Sequence, residues 1–122
     1  MEELERVISA LLAVRCPAVC PERELHALIA RTLAEAGFDV RHEARLGPRC
    51  RIDFLVGGVG VEVKKSRHVR GALLAQLTRY AACAQVQSLL VVAPRGVSLP
   101  REMGGKPVRM LALERLWGLS LP

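Results

Sequence analysis

Asp53, Glu62 and Lys64 are the residues of this 122-residue chain whose types could act together. Two carboxylates held side by side offer oxygen ligands to a hard divalent cation such as Mg²⁺, which commonly sits on one or two carboxylates with phosphate and water completing its shell. An ammonium beside such an ion can meet a phosphate oxygen or orient an attacking water. The two acids are separated in the chain, so this chemistry exists only if the backbone folds back between them. The stretch Arg51-Ile-Asp-Phe-Leu-Val-Gly-Gly-Val-Gly-Val-Glu-Val-Lys64 predicts that it does: two alternating runs meet at Gly57-Gly58, the pattern of a tight hairpin.

With the two glycines as the loop, Val56 faces Val59, Phe54 faces Val61, Asp53 faces Glu62, Ile52 faces Val63 and Arg51 faces Lys64. Directly opposed residues share a face of the sheet. One face is then Ile52, Phe54, Val56, Val59, Val61 and Val63, apolar throughout, and the other holds Arg51, Asp53, Glu62 and Lys64. Opposed carboxylates with Cβ atoms about 5 Å apart repel each other. A bridging cation would offset that. So would Arg51 and Lys64 on a solvated face, where ion pairs contribute only about 0–1 kcal/mol each. The hairpin alone leaves both readings open.

The elements around it follow from period and punctuation. Leu4, Val7, Ile8, Leu11 and Leu12 make one stripe of an amphipathic helix over 2–14. Pro17 and Pro21 end it. A second helix over 21–36 carries Leu25, Leu28, Ile29, Leu33 and Ala36, with Gly37 as its stop. Residues 38–46 read as extended until Gly47-Pro48, 70–84 as helix, and 88–93 as a fully apolar strand stopped by Pro94. A loop at 94–107, a strand at 108–112 and a short helix around Glu114–Trp117 complete the chain. The order α-α-β-β-β-α-β-β combines a hairpin with a strand-helix-strand crossover and predicts an α/β fold, a mixed central sheet flanked by helices, in a single domain spanning 1–122.

Composition narrows the class. The chain is 51% hydrophobic and carries 18 Lys+Arg against 12 Asp+Glu, a net charge of +6. That excludes a disordered chain and points to a polyanionic partner. No apolar run reaches the roughly 18 residues of a membrane span, and the acidic start differs from a signal peptide, so the expectation is a soluble cytoplasmic protein without a membrane partner. Cys16, Cys20, Cys50 and Cys83 lack the paired spacing of a zinc site and read as incidental thiols. With four aromatic residues in all, base stacking on single strands finds little support.

Asp53, eight intervening residues, then Glu62-Val63-Lys64, set between a preceding helix and a following helix and apolar strand, resembles the PD-(D/E)XK nuclease superfamily. Ile52-Asp53 stands where the name would have Pro-Asp. Gln76-Leu-Thr-Arg-Tyr80 looks like the QxxxY motif of the RecB-type branch, and the resemblance covers a core of about 22–93. It implies a restriction-endonuclease-like fold and a Mg²⁺- or Mn²⁺-dependent deoxyribonuclease. By that resemblance Asp53, Glu62 and the main-chain carbonyl of Val63 would hold the metal, and Lys64 would position or help deprotonate the water. Gln76 and Tyr80, on one helical face, would touch the DNA backbone or buttress the site; the plainer reading has them flank a core helix. Members of the superfamily often add a Glu from the first core helix, for which Glu22 on the sheet-facing stripe is preferred over Glu24, with Glu43 a third candidate; helix N-terminal acids also occur simply because the dipole favours them.

Lys65, Arg67 and Arg70, directly after the motif, and Arg79 are candidates for tracking phosphates. His26, His42 and His68 show no ligand spacing; His26 lies near Glu22 and the other two read as surface residues. The expected partner is DNA, with RNA not excluded, and helix 2–14 and the tail could support a homodimer. Two alternatives stand beside the nuclease: a Holliday-junction-type resolvase of the same superfamily, and a non-catalytic nucleic-acid-binding or assembly module on the same fold.

Overall fold

The apolar stripes at helical spacing become α1 (Glu3–Leu11), which buries Leu4, Val7 and Leu11, and α2 (Glu22–Glu35), which buries Leu25, His26, Ile29 and Leu33. In the computed structural model, which describes residues 2–15, 20–64, 70–93, 96 and 98–112, three strands follow: β1 (Val40–Gly47), β2 (Cys50–Val56) and β3 (Val59–Val63). Then come α3 (Arg70–Ala81), β4 (Ser88–Ala93), β5 (Glu102–Met103) and β6 (Lys106–Ala112). The expected order is met with one addition, the two-residue β5 inside the stretch read as loop. The helix expected around Glu114–Trp117 lies outside the described residues, as do Cys16, Lys65, Arg67 and His68.

The six strands form one mixed sheet in the order β1-β2-β3-β4-β6-β5. The pairs β1/β2 and β2/β3 are antiparallel, whereas β3/β4 and β4/β6 are parallel. The parallel pairing of β3 and β4 follows from the crossover through α3, since a strand can return beside its predecessor in the same direction only by traversing the sheet. β4 is buried at every position, as a central strand covered on both faces must be. One face of the sheet packs Phe54, Val56, Val59, Val61 and Val63 against α1 and α2. The other packs Ile52, Leu55, Leu89 and Val91 against Leu73, Leu77 and Tyr80 of α3.

Gly37 ends α2 as expected: it takes φ +96°, and the Phe38 N–H donates to the Leu33 carbonyl at 3.0 Å. The hairpin has the expected register, with Phe54 facing Val61, Leu55 facing Gly60 and Val56 facing Val59. Only the first loop glycine, Gly57 at φ +61°, is left-handed, the pattern of a type II′ turn. α1 fastens that turn, because the Gly58 N–H donates to Glu3 Oε1 at 3.0 Å.

One expectation is corrected. Ile52 does not share a face with Phe54: Phe54 lies in the α1/α2 core and Ile52 in the α3 core. The β1/β2 ladder pairs His42 with Phe54 and Ala44 with Ile52, and between these pairs Glu43 and Asp53 are unpaired. His42 stacks on Phe54 at 4.7 Å, whereas Ala44 joins Ile52 in the opposite core, so the alternation of both strands reverses at this point. Glu43 takes φ +51°, a left-handed conformation that rotates the strand about itself. Gly60 provides the room for it, since a Cβ there would lie 2.7 Å from Ile52 Cδ1.

Candidate active site

The face reversal decides what the acids can do. A residue in a regular ladder commits its N–H to the neighbouring strand; Asp53, lifted out of the β1 ladder, instead donates its N–H to Glu62 Oε1 at 3.4 Å. In return the Val63 N–H donates to Asp53 Oδ2 at 2.8 Å. The two side chains thus continue the β2/β3 pairing where the main-chain ladder stops at Phe54 and Val61. Asp53 and Glu62 are brought together, as the hairpin register predicts.

Glu62 is 5% exposed. Lys64 Nζ lies 3.1 Å from Glu62 Oε2, and the Tyr80 hydroxyl donates toward Glu62 Oε1 at 3.1 Å. The same hydroxyl lies 3.1 Å from the Arg51 carbonyl, so one phenol hydrogen serves two acceptors. Burial foremost, and then the charge of Asp53, pushes the Glu62 carboxyl up from its ordinary 4.5, with Lys64 pulling the other way. Burial, then the Glu62 charge, pushes the Tyr80 phenol up as well, which keeps it a hydrogen-bond donor at neutral pH.

Among the described residues no group of three or more His, Cys, Asp and Glu side chains is gathered to hold an ion. The donors available are the Asp53 and Glu62 carboxylates on adjacent strands, both hard oxygen ligands. That set fits Mg²⁺ or Mn²⁺, which are commonly held by one or two carboxylates with substrate and water oxygens, and a second positive charge here would offset the burial and the Asp53 repulsion that together raise Glu62.

The other candidates divide. Tyr80 is 2% exposed, packs in the α3 core and meets Glu62 through its hydroxyl. Gln76 shares its helical face and lines a pocket beside it. Glu22 is exposed, and its carboxylate lies 3.8 Å from His26 Nε2 on its own helix rather than with Asp53 and Glu62. Glu24 is exposed and makes no ion pair among the described residues, and Glu43 pairs with Arg51 at 3.3 Å. Arg70 donates from Nε to the Ser98 carbonyl at 3.0 Å, away from the acids.

Sequence reasoning missed two features. His26 is buried, and its Nδ1 lies 3.1 Å from Nε2 of His42, a pair made by α2 crossing β1. The larger omission is the pocket of about 390 Å³ lined by Arg45, Arg49, Arg51 and Arg79 with Gln76 and Tyr80. Its only sequence signal is the density of arginines on either side of Gly47-Pro48, which marks a turn but not what the turn faces. Cys50 borders the same pocket; burial first, and the neighbouring Cys83 thiol second, push its thiol up from its ordinary value.

Comparison of the chain with protein-family models, with curated proteins and with solved structures finds no match.

Proposed function

We propose that the protein is a metal-dependent nuclease that hydrolyses DNA phosphodiester bonds, on a restriction-endonuclease-like variant of its α/β fold. The observation that carries this reading is the hydrogen-bonded pair Asp53 and Glu62 on adjacent strands, with Lys64 on one oxygen of Glu62 and Tyr80 on the other.

Asp53, Glu62 and the Val63 carbonyl would hold Mg²⁺ or Mn²⁺, which when bound supplies Lewis-acid polarisation of the phosphate and a more acidic water. The protein's own contribution is positioning. Tyr80 and the Asp53 N–H fix the Glu62 carboxylate, and the Val63 N–H fixes Asp53, so neither acid has to reorganise as charge develops. Lys64, about a quarter exposed, presents its ammonium from the Glu62 side to a phosphate oxygen or the attacking water.

The test is cleavage of duplex, single-stranded and four-way-junction DNA with Mn²⁺. Wild type should cut, and Asp53→Ala and Lys64→Ala should each lose about 10²–10³-fold in rate, the usual cost of removing one group that stabilises developing charge. Junction-only cutting would select the resolvase. No cutting of any substrate by the unaltered protein would leave the non-catalytic module.

A further inference from the structure

Four guanidinium groups converge on one pocket. Arg45 comes from β1, Arg49 from the turn, Arg51 from β2 and Arg79 from α3. Arg51 is paired with Glu43, but among the described residues Arg45, Arg49 and Arg79 have no carboxylate within salt-bridge distance. Like charges gathered around a concavity repel one another and raise the local concentration of anions. All four side chains are exposed at the rim of this pocket, and the turn, whose Arg49 takes φ +58°, sets them beside Gln76 and Tyr80 of α3. Tyr80 joins the two places: it borders the pocket, and its hydroxyl meets Glu62.

We infer that this pocket is a phosphate-binding subsite for the nucleic-acid strand being cut, holding a phosphate next to the one that lies at Asp53 and Glu62. Guanidinium forks match phosphate oxygens bidentately, and four of them around one cavity exceed what an isolated surface contact requires. The phosphate is either an internal phosphodiester or a strand end. A terminal phosphate carries about −1.5 to −2 charges and would use more of the arginines. The assignment of the strand's course rests on the nuclease reading; the binding itself does not.

The experiment measures binding by fluorescence anisotropy in EDTA, with single-stranded and duplex DNA oligonucleotides bearing a 5′-phosphate, a 3′-phosphate or hydroxyl ends. Arg49→Gln/Arg79→Gln should weaken binding by about tenfold per guanidinium removed and lower the salt slope by about one for each arginine that no longer meets a phosphate. Glu43→Gln, which releases Arg51 and removes the neighbouring negative charge, should tighten it. Equal weakening on all oligonucleotides assigns an internal phosphate, and weakening confined to phosphorylated ones assigns a strand end. Unchanged affinity and salt slope in the double variant, with its circular dichroism intact, overturns the subsite. Cleavage is read separately with Mn²⁺. A wild type that cuts while the double variant binds normally sinks the subsite and spares the nuclease; one that binds through the arginines and cuts nothing does the reverse.

Discussion

The two faces of the sheet are built to different ends. Against α1 and α2 the sheet presents Phe54, Val56, Val59, Val61 and Val63, close-packed apolar side chains. Against α3 it presents Ile52, Leu55 and Leu89 beside a buried carboxylate, a buried phenol, two neighbouring thiols and the arginine pocket. One face stabilises the fold; the other gives up part of that stability to bury Glu62, whose desolvation is unfavourable. A small domain can carry a buried carboxylate on one side of a sheet when the opposite side is packed with apolar side chains almost throughout, His26 beside Phe54 being the polar exception.

The sharpest way to break this contrast is to damage the quiet face. Phe54→Ala removes a fully buried ring from the α1/α2 core and should cost about 3–5 kcal/mol, read from the denaturant midpoint. Lys64→Ala, on the other face, should all but stop cutting and lower that midpoint by less than Phe54→Ala does. That loss shrinks at acid pH as Glu62, left without its ammonium partner, takes up a proton. If both variants unfold together, the division of labour is wrong.

A smaller effect tests the face reversal. Gly60→Ala places a methyl against the buried Ile52 and Leu89 side chains and should destabilise by about 1–3 kcal/mol through overpacking. Pairing it with Ile52→Val, which shortens the side chain whose Cδ1 is closest, should recover part of the loss. Absence of any recovery would place Ile52 on the other face.

The smallest effect is a slope. Glu62 holds its proton to a higher pH in the folded protein than in the unfolded chain. Its ionisation therefore costs stability: the cost is absent well below the ordinary carboxyl value of 4.5 and grows as pH rises through the higher folded value. Thermal melts from about pH 4 to about pH 7 should show wild type falling behind Glu62→Gln, with Mn²⁺ narrowing the gap at the upper end. Parallel curves would mean that Glu62 is not strained.

Much of this arrangement was legible in the residue pattern. The apolar period named both helices of the first core, the solid apolar run at 88–93 named β4, and Gly57-Gly58 fixed which residues of β2 and β3 meet. The acid pair and Lys64 followed from that register, because a two-residue turn leaves little freedom in pairing. Tyr80 was legible only in part: its spacing from Gln76 placed both on one helical face, while its reach to Glu62 depends on how α3 lies across the sheet.

Three features depended on the tertiary structure. The reversal at Glu43 and Asp53 requires a left-handed residue on β1 and an empty Cβ position on β3, two conditions on different strands that no local window joins. The His26–His42 contact needs α2 to cross β1. The arginine pocket needs the β1–β2 turn to lie against α3. Sequence by itself set the periods, the turn and the charges, since these are properties of neighbouring residues. Only the folded chain could decide which charges share a cavity, because that depends on packing between segments far apart along the backbone.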